Sequence, residues 1–309
     1  MRRALFSAQG RRPPLAPELA WAAWLAFLYD LLVGATPLQV RTAIANGFAV
    51  LRLERAWGLA GERALNRLLV GAPALKALAA YYYDNAHFIV TFGLLALLWW
   101  RRPAAYRPLR TTLVLVNLVA FCVFYLFPMA PPRLLPGAGF YDVVAESGAI
   151  GQWHTGSLAR SADQYAAMPS LHIAWAVWSA AAIWALTDRR RWRAAALLYP
   201  ALTALDVVAT ANHLFLDCLA GLATVGFADA LRNAACALAA VAFGGRKERA
   251  AAFAARWVGA RAVKRGQGVA ATRPTRAHTP QPQMTNRATR TTDQRQRRNG
   301  REPGVCAWR

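Results

Sequence analysis

The sequence predicts an all-α, polytopic membrane protein: a six-transmembrane-helix bundle with a disordered basic C-terminal tail. Three observations predict it. The 309 residues are 56% hydrophobic with 12 Trp, and the mean hydropathy is positive at +0.21. Yet 37 Lys and Arg stand against 15 Asp and Glu, a combination that a soluble chain of this length has no core to hide. The basic residues fall in short clusters between apolar runs and in the tail, as the loops of a membrane protein do, so the charge of +22 marks topology and not a nucleic-acid face.

Taken in order, residues 1–18 form a basic cytoplasmic N-terminus with Arg2, Arg3, Arg11 and Arg12. The apolar run at 19–35 carries Asp30 and lacks a small-residue cleavage site, which makes it a first membrane helix and not a signal peptide. Residues 36–76 mix charges with apolar positions at helical spacing; amphipathic helices on the membrane surface and a lid over a site both fit. This stretch closes a first region, 19–77, and the catalytic membrane core is placed at 78–243. Its spans are expected at 78–100, 111–127, 169–186, 194–210 and 212–231, with a further apolar piece to Phe243.

The connection from Arg101 to Arg110 holds four arginines and no acid, and Asp188 to Arg193 is again basic and short, so both are cytoplasmic. Both termini then lie in the cytoplasm of a multi-pass cell-membrane protein. The Pro- and Gly-rich connection 128–167 and the 210–213 junction share the extracytoplasmic side. From 244 to 309 the chain is polar, rich in Arg, Thr, Gln and Pro, and reads as a disordered tail able to touch anionic lipid. The four cysteines, Cys122, Cys218, Cys236 and Cys306, have no metal-ligand spacing.

The polar residues worth chemistry collect on that outer side. His213 and Asp217 stand four apart at the head of an apolar segment, where a helix would stack them. Such a carboxylate fixes which imidazole nitrogen carries the proton and leaves the other to attack; mutual pairing for burial fits equally. His172 follows Pro169 and Ser170 at the head of another span, and Arg133 follows Ala130-Pro131-Pro132 beyond a third. One imidazole can attack phosphorus, the second can protonate the leaving alkoxide, and a guanidinium fork can hold phosphate oxygens. Amides around Ser170, at a helix N-terminus, add anion donors. Ionisable groups are costly in a bilayer, and their gathering on one face points to function. No Asp/Glu cluster suited to magnesium is visible, and the chemistry needs no metal or other cofactor.

Pro169-Ser170-Leu171-His172, His213-x-x-x-Asp217 and the upstream Ala-Pro-Pro-Arg133 resemble the type 2 phosphatidic acid phosphatase superfamily, over about Tyr81 to Gly221. Pro-Ser-Leu-His in place of Pro-Ser-Gly-His is similar to the branch containing inositol phosphorylceramide synthase, an inositolphosphotransferase. The resemblance implies a six-helix core and a metal-independent phosphohistidine mechanism on a lipid phosphate. It implies His213 as nucleophile, Asp217 as its orienter, His172 as acid/base, and Arg133 and Ser170 as phosphate binders. The chain departs from the pattern in two places: the first motif's Lys is missing, and Val207 stands where the third motif has an Arg. Candidates to support the site are His87, Asn85, Arg160, Asp206 and Asn212; Asp142 and His154 lie in the outer loop. Water as acceptor makes a phosphatase; inositol or a lipid hydroxyl makes a phosphotransferase. A transporter or lipid-handling scaffold of the same fold is the non-catalytic alternative, and nucleic acid is not expected as a partner.

Overall fold

The computed structural model describes residues 12–20, 22–24, 39–146 and 162–266. Most of the expected first span, the outer-loop residues His154 and Arg160, and the tail from 267 onward lie outside the described residues. The described chain is helical apart from an isolated parallel bridge between Met129 and Ala166. Its main helices are α1 (Val40–Ala56), α2 (Glu62–Val70), α3 (Pro73–Arg101), α4 (Pro103–Leu126), α5 (Leu171–Leu186), α6 (Arg190–Ala195), α7 (Leu198–Ala209) and α8 (Phe215–Gly266).

Among the described residues three stretches are long and apolar enough to cross a membrane: Pro103–Leu126, Arg190–Ala209 and Phe215–Ala242, with Leu171–Leu186 a shorter apolar helix. The protein is therefore an integral membrane protein. α3 has the length to cross and an apolar second half, but Lys76, Asp84, Asn85 and His87 occupy its first half. α5 is apolar on every side and sits in the middle of the bundle, against α3, α4 and α7. Its Trp178 is fully buried and donates its indole N–H to the Leu109 carbonyl at 2.8 Å.

Several boundaries differ from the sequence expectation for local reasons. The four-arginine connection is no loop: α3 ends at Arg101 and α4 begins at Pro103, because proline suits the first position of a helix, where its missing N–H would be unpaired anyway. The fifth span is bent between α6 and α7. The sixth begins at Phe215, leaving His213 in the preceding turn, and continues to Gly266, beyond residue 244, on alanine-rich sequence. The chain divides into two compact units, and everything below concerns the first, up to Asn233.

α1 packs its buried face on protein, and neither α1 nor α2 lines the cavity described below. The buried positions of α1, Ala43, Gly47, Val50, Leu51 and Glu54, recur at helical spacing. They face Met129, Ala130 and Leu135 of the connection after α4. The Ala130 amide donates to the Ala43 carbonyl, and Asn46 donates to the Pro128 carbonyl at 2.8 Å. Gly47 is required by this approach, since a Cβ there would lie 2.7 Å from the Ala130 oxygen.

Candidate active site

The turn between α7 and α8 is built by its own polar groups. The Thr210 hydroxyl donates to the Asp206 carbonyl, Asn212 donates to the Thr210 hydroxyl at 3.0 Å, and the Val207 carbonyl accepts both the Asn212 and His213 amides. These bonds hold Ala211 in the left-handed region at φ 59°, which a residue with a Cβ rarely adopts. The turn delivers His213, 5% exposed, to the head of α8.

His213 Nδ1 lies 2.9 Å from the Ala167 carbonyl. A carbonyl only accepts, so Nδ1 carries the proton and Nε2 keeps its lone pair. Asp217 Oδ2 is 3.6 Å from the same nitrogen, beyond hydrogen-bond range, and accepts the Leu214 amide at 2.8 Å. That is the third helical residue reaching back to the amide of the residue before the helix, one half of a capping box. Ala167 is held in place by the bridge, in which Met129 donates to Tyr165 and Ala167 donates to Met129.

His172 sits in the first turn of α5, its ring 5.7 Å from that of His213, centroid to centroid. Tyr83 stacks on it at 4.3 Å, and His87 meets it edge-on at 4.4 Å. His87 gives its Nδ1 proton to the Tyr83 carbonyl at 3.0 Å. Arg133 completes the group: Nε donates to Asn212 Oδ1 at 2.7 Å, Nη1 lies 3.4 Å from Asp142, and its backbone amide donates to the Ala211 carbonyl.

His172, His213, Arg133, Asn212 and His87 all line one cavity of about 870 Å³. Its walls are Phe88, Phe92 and Leu95 from α3, Leu113, Val114, Leu118 and Phe121 from α4, and Trp175 from α5. Tyr106, Arg110 and Glu18 lie at its far end, where Arg110 and the Tyr106 hydroxyl both bond Glu18. At 1.5 Å of rise per residue, the lining along α4 from Tyr106 to Phe124 is about 27 Å long.

Of the sequence candidates, the structure brings His213, His172, Arg133, His87 and Asn212 to this cavity, with Asp217 directly behind His213. Ser170 is fully buried and does not line it; its hydroxyl accepts the Ile173 amide and caps α5, while its own amide donates to the Asp217 carbonyl. Asn85 bonds back to the Tyr81 carbonyl. Asp206 is half-buried within electrostatic reach of Asp84, and does not line the cavity. Val207, at the position of the missing arginine, is a core residue. Sequence reasoning missed Tyr83, whose spacing of four from His87 was the available signal, and the buried acids Glu54 and Glu62 of α1 and α2. Among the described residues no three His, Cys, Asp or Glu side chains gather as a metal site.

A family model described as PAP2 superfamily matches residues 48–231, which takes in α2 to α7, the last turns of α1 and the head of α8. No curated protein matches the chain, and no solved structure does.

Proposed function

The chain belongs to the PAP2 superfamily, and on that premise we propose that it breaks the phosphoester of a membrane lipid through a phosphohistidine at the extracytoplasmic face. The observation that carries the reading is the meeting of His172, His213 and Arg133 at one cavity whose walls are largely apolar. A lipid phosphate has that shape: a chain for the walls and an anion for Arg133.

In the proposed reaction the Nε2 lone pair of His213 attacks phosphorus, and the ester bond breaks as the leaving alkoxide takes a proton from His172. The Arg133 fork, oriented by Asn212 and Asp142, holds the equatorial oxygens as charge builds on them. Asp217 offsets the positive charge arising on the His213 ring. His172, now neutral, takes the proton from an incoming hydroxyl, whose oxygen attacks the phosphohistidine and frees His213. Ser170 acts by starting the helix that presents His172. Water as acceptor gives a phosphatase; an alcohol such as inositol or a lipid hydroxyl gives a phosphotransferase, and the same catalytic groups serve both. The basic α3–α4 turn and the Arg189–Arg193 cluster, which lie at the opposite helix ends, support the outward placement of the site.

The test is phosphate release by the full chain in detergent, from phosphatidic acid, a polyprenyl diphosphate and a phosphoinositol lipid. It is run with EDTA, with and without inositol, against His213→Ala. Release that survives EDTA and is lost in His213→Ala supports the reading; equal release by both proteins refutes it. Phosphoryl transfer to inositol separates transferase from phosphatase.

A further inference from the structure

We infer that Glu54 and Glu62 form a buried carboxyl clamp that positions the turn carrying His213 and Asp217. The inference rests on the role proposed for His213, but its geometry stands apart from it. A helix begins with amide N–H groups that have no partner within the helix. The residue before α8 is Leu214, whose side chain cannot accept, so the head of α8 cannot cap itself through that position. Asp217 takes the Leu214 amide. The Leu216 amide is taken by Glu54 Oε1, from a helix 162 residues earlier in the chain.

Glu54 is fully buried and Glu62 is 2% exposed. Glu54 Oε2 and Glu62 Oε1 have no hydrogen-bond partner among the described residues, and the two carboxyls act on each other inside the fold. Two buried carboxylates so close would repel strongly, which favours the protonated form of one of them. Burial first, and then Glu62, push Glu54 up to about 9. The titratable groups facing Glu54 are Glu62 from α2, and Asp217 and Cys218 from α8. α2 also grips the other end of the same turn, where Asn66 donates to the Ala209 carbonyl at 2.9 Å. Residues 209–217 are thus held from both sides by α1 and α2, and ionisation of Glu54 beside Glu62 and Asp217 would set like charges against the α1 side of that hold. Both glutamates are positioning residues.

The experiment compares wild type, Glu54→Gln and Glu54→Ala in phosphate release between pH 6 and 10 and in hydrogen exchange over residues 213–217. Glutamine keeps an acceptor for Leu216 and a donor for Glu62 without a titrating proton. Glu54→Gln is expected to stay within about twofold of wild type at neutral pH and to lose the alkaline fall that wild type shows near pH 9. Glu54→Ala is expected to lose about tenfold or more in kcat with KM little changed, and to exchange faster at 213–217. The inference is overturned if Glu54→Ala exchanges as slowly as wild type, or if Glu54→Gln retains the wild-type alkaline fall. Should His213→Ala prove fully active, the nucleophile reading falls while the exchange result still decides the clamp.

Discussion

His213 gives its Nδ1 proton to the Ala167 carbonyl at 2.9 Å, while Asp217, four residues along its own segment, stands 3.6 Å from the same nitrogen. The tautomer that frees Nε2 is therefore set by a backbone oxygen, and the carboxylate is left to hold the Leu214 amide and to offset charge on the ring. Asp217→Asn keeps the acceptor for Leu214 and removes the charge. Its kcat is expected to fall about 10- to 100-fold, well short of the ~10⁴-fold loss found where a carboxylate alone sets the tautomer. Steady-state kinetics over the substrate panel check this; a loss near 10⁴-fold would return the tautomer to Asp217.

Gly221 marks where α8 crosses the start of α5. A Cβ there would lie 2.4 Å from the Ser170 carbonyl oxygen and 3.2 Å from the Ile173 Cβ. Both neighbours belong to the turn that presents His172, and backbone cannot move aside as a flexible side chain can. Gly221→Ala is expected to cost about 1–3 kcal/mol from overpacking and to lower the unfolding temperature in detergent, with activity falling as His172 shifts. An unfolding midpoint and a rate both equal to wild type would show that the two helices can separate freely.

The sequence carried the apolar runs, the turn residues and the short spacings, and these were legible. Ser170 announced a helix start, and the His213–Asp217 and Pro169–His172 patterns drew attention to two histidines that do meet at one cavity. Contacts across long separations were not legible. Ala167 as partner of His213, Tyr83 stacked on His172, and Glu54 on the Leu216 amide depend on how helices pack, and no local period encodes them. The reading of α1 and α2 stayed open for the same reason, since an amphipathic helix looks alike whether its apolar face meets lipid or a protein loop. At Ser170 the helix-start amides and the family resemblance suggested phosphate; in the fold its hydroxyl accepts the Ile173 amide and its own amide donates to the Asp217 carbonyl.

Stability should fall with rising pH through the Glu54 proton. The carboxyl titrates near 4.5 when exposed and is pushed up to about 9 in the fold, chiefly by burial. Between those values the native state holds a proton that the unfolded state has released, so its contribution is full below about 4.5 and declines as pH rises through 9. Glu54→Gln should flatten that part of the profile and unfold at a higher temperature than wild type at pH 8. Unfolding midpoints of both proteins across pH 5–9 check the sign; parallel profiles would mean that Glu54 is ionised in the fold.

Arg133 is 6% exposed in its side chain and held at both ends of its fork, by Asn212 through Nε and by Asp142 through Nη1. Lysine has no planar fork to make these bonds and face a phosphate at once. Arg133→Lys is expected to lose about 10²–10³-fold in kcat/KM. Asn212→Ala should lose less, since the guanidinium remains but its orientation is freer. Rates for both with one substrate test the order; a fully active Arg133→Lys would move phosphate binding to another residue.

The cavity walls make the last prediction, because they bind what the chemistry does not touch. Val114 lines the cavity on α4, between the imidazoles at one end and Arg110 at the other. Val114→Trp adds a large ring to a space of about 870 Å³ whose walls are largely apolar, and leaves His172, His213 and Arg133 in place. If a lipid chain occupies this space, long-chain substrates lose the burial of several methylenes, each worth about 0.8 kcal/mol, and their KM rises. A short-chain phosphate ester never reaches Val114, and its kcat/KM should stay within about twofold of wild type. The ratio of the two specificity constants is the measurement. A ratio unchanged from wild type would mean that the chain leaves the protein sideways into the bilayer and that the cavity serves the headgroup alone.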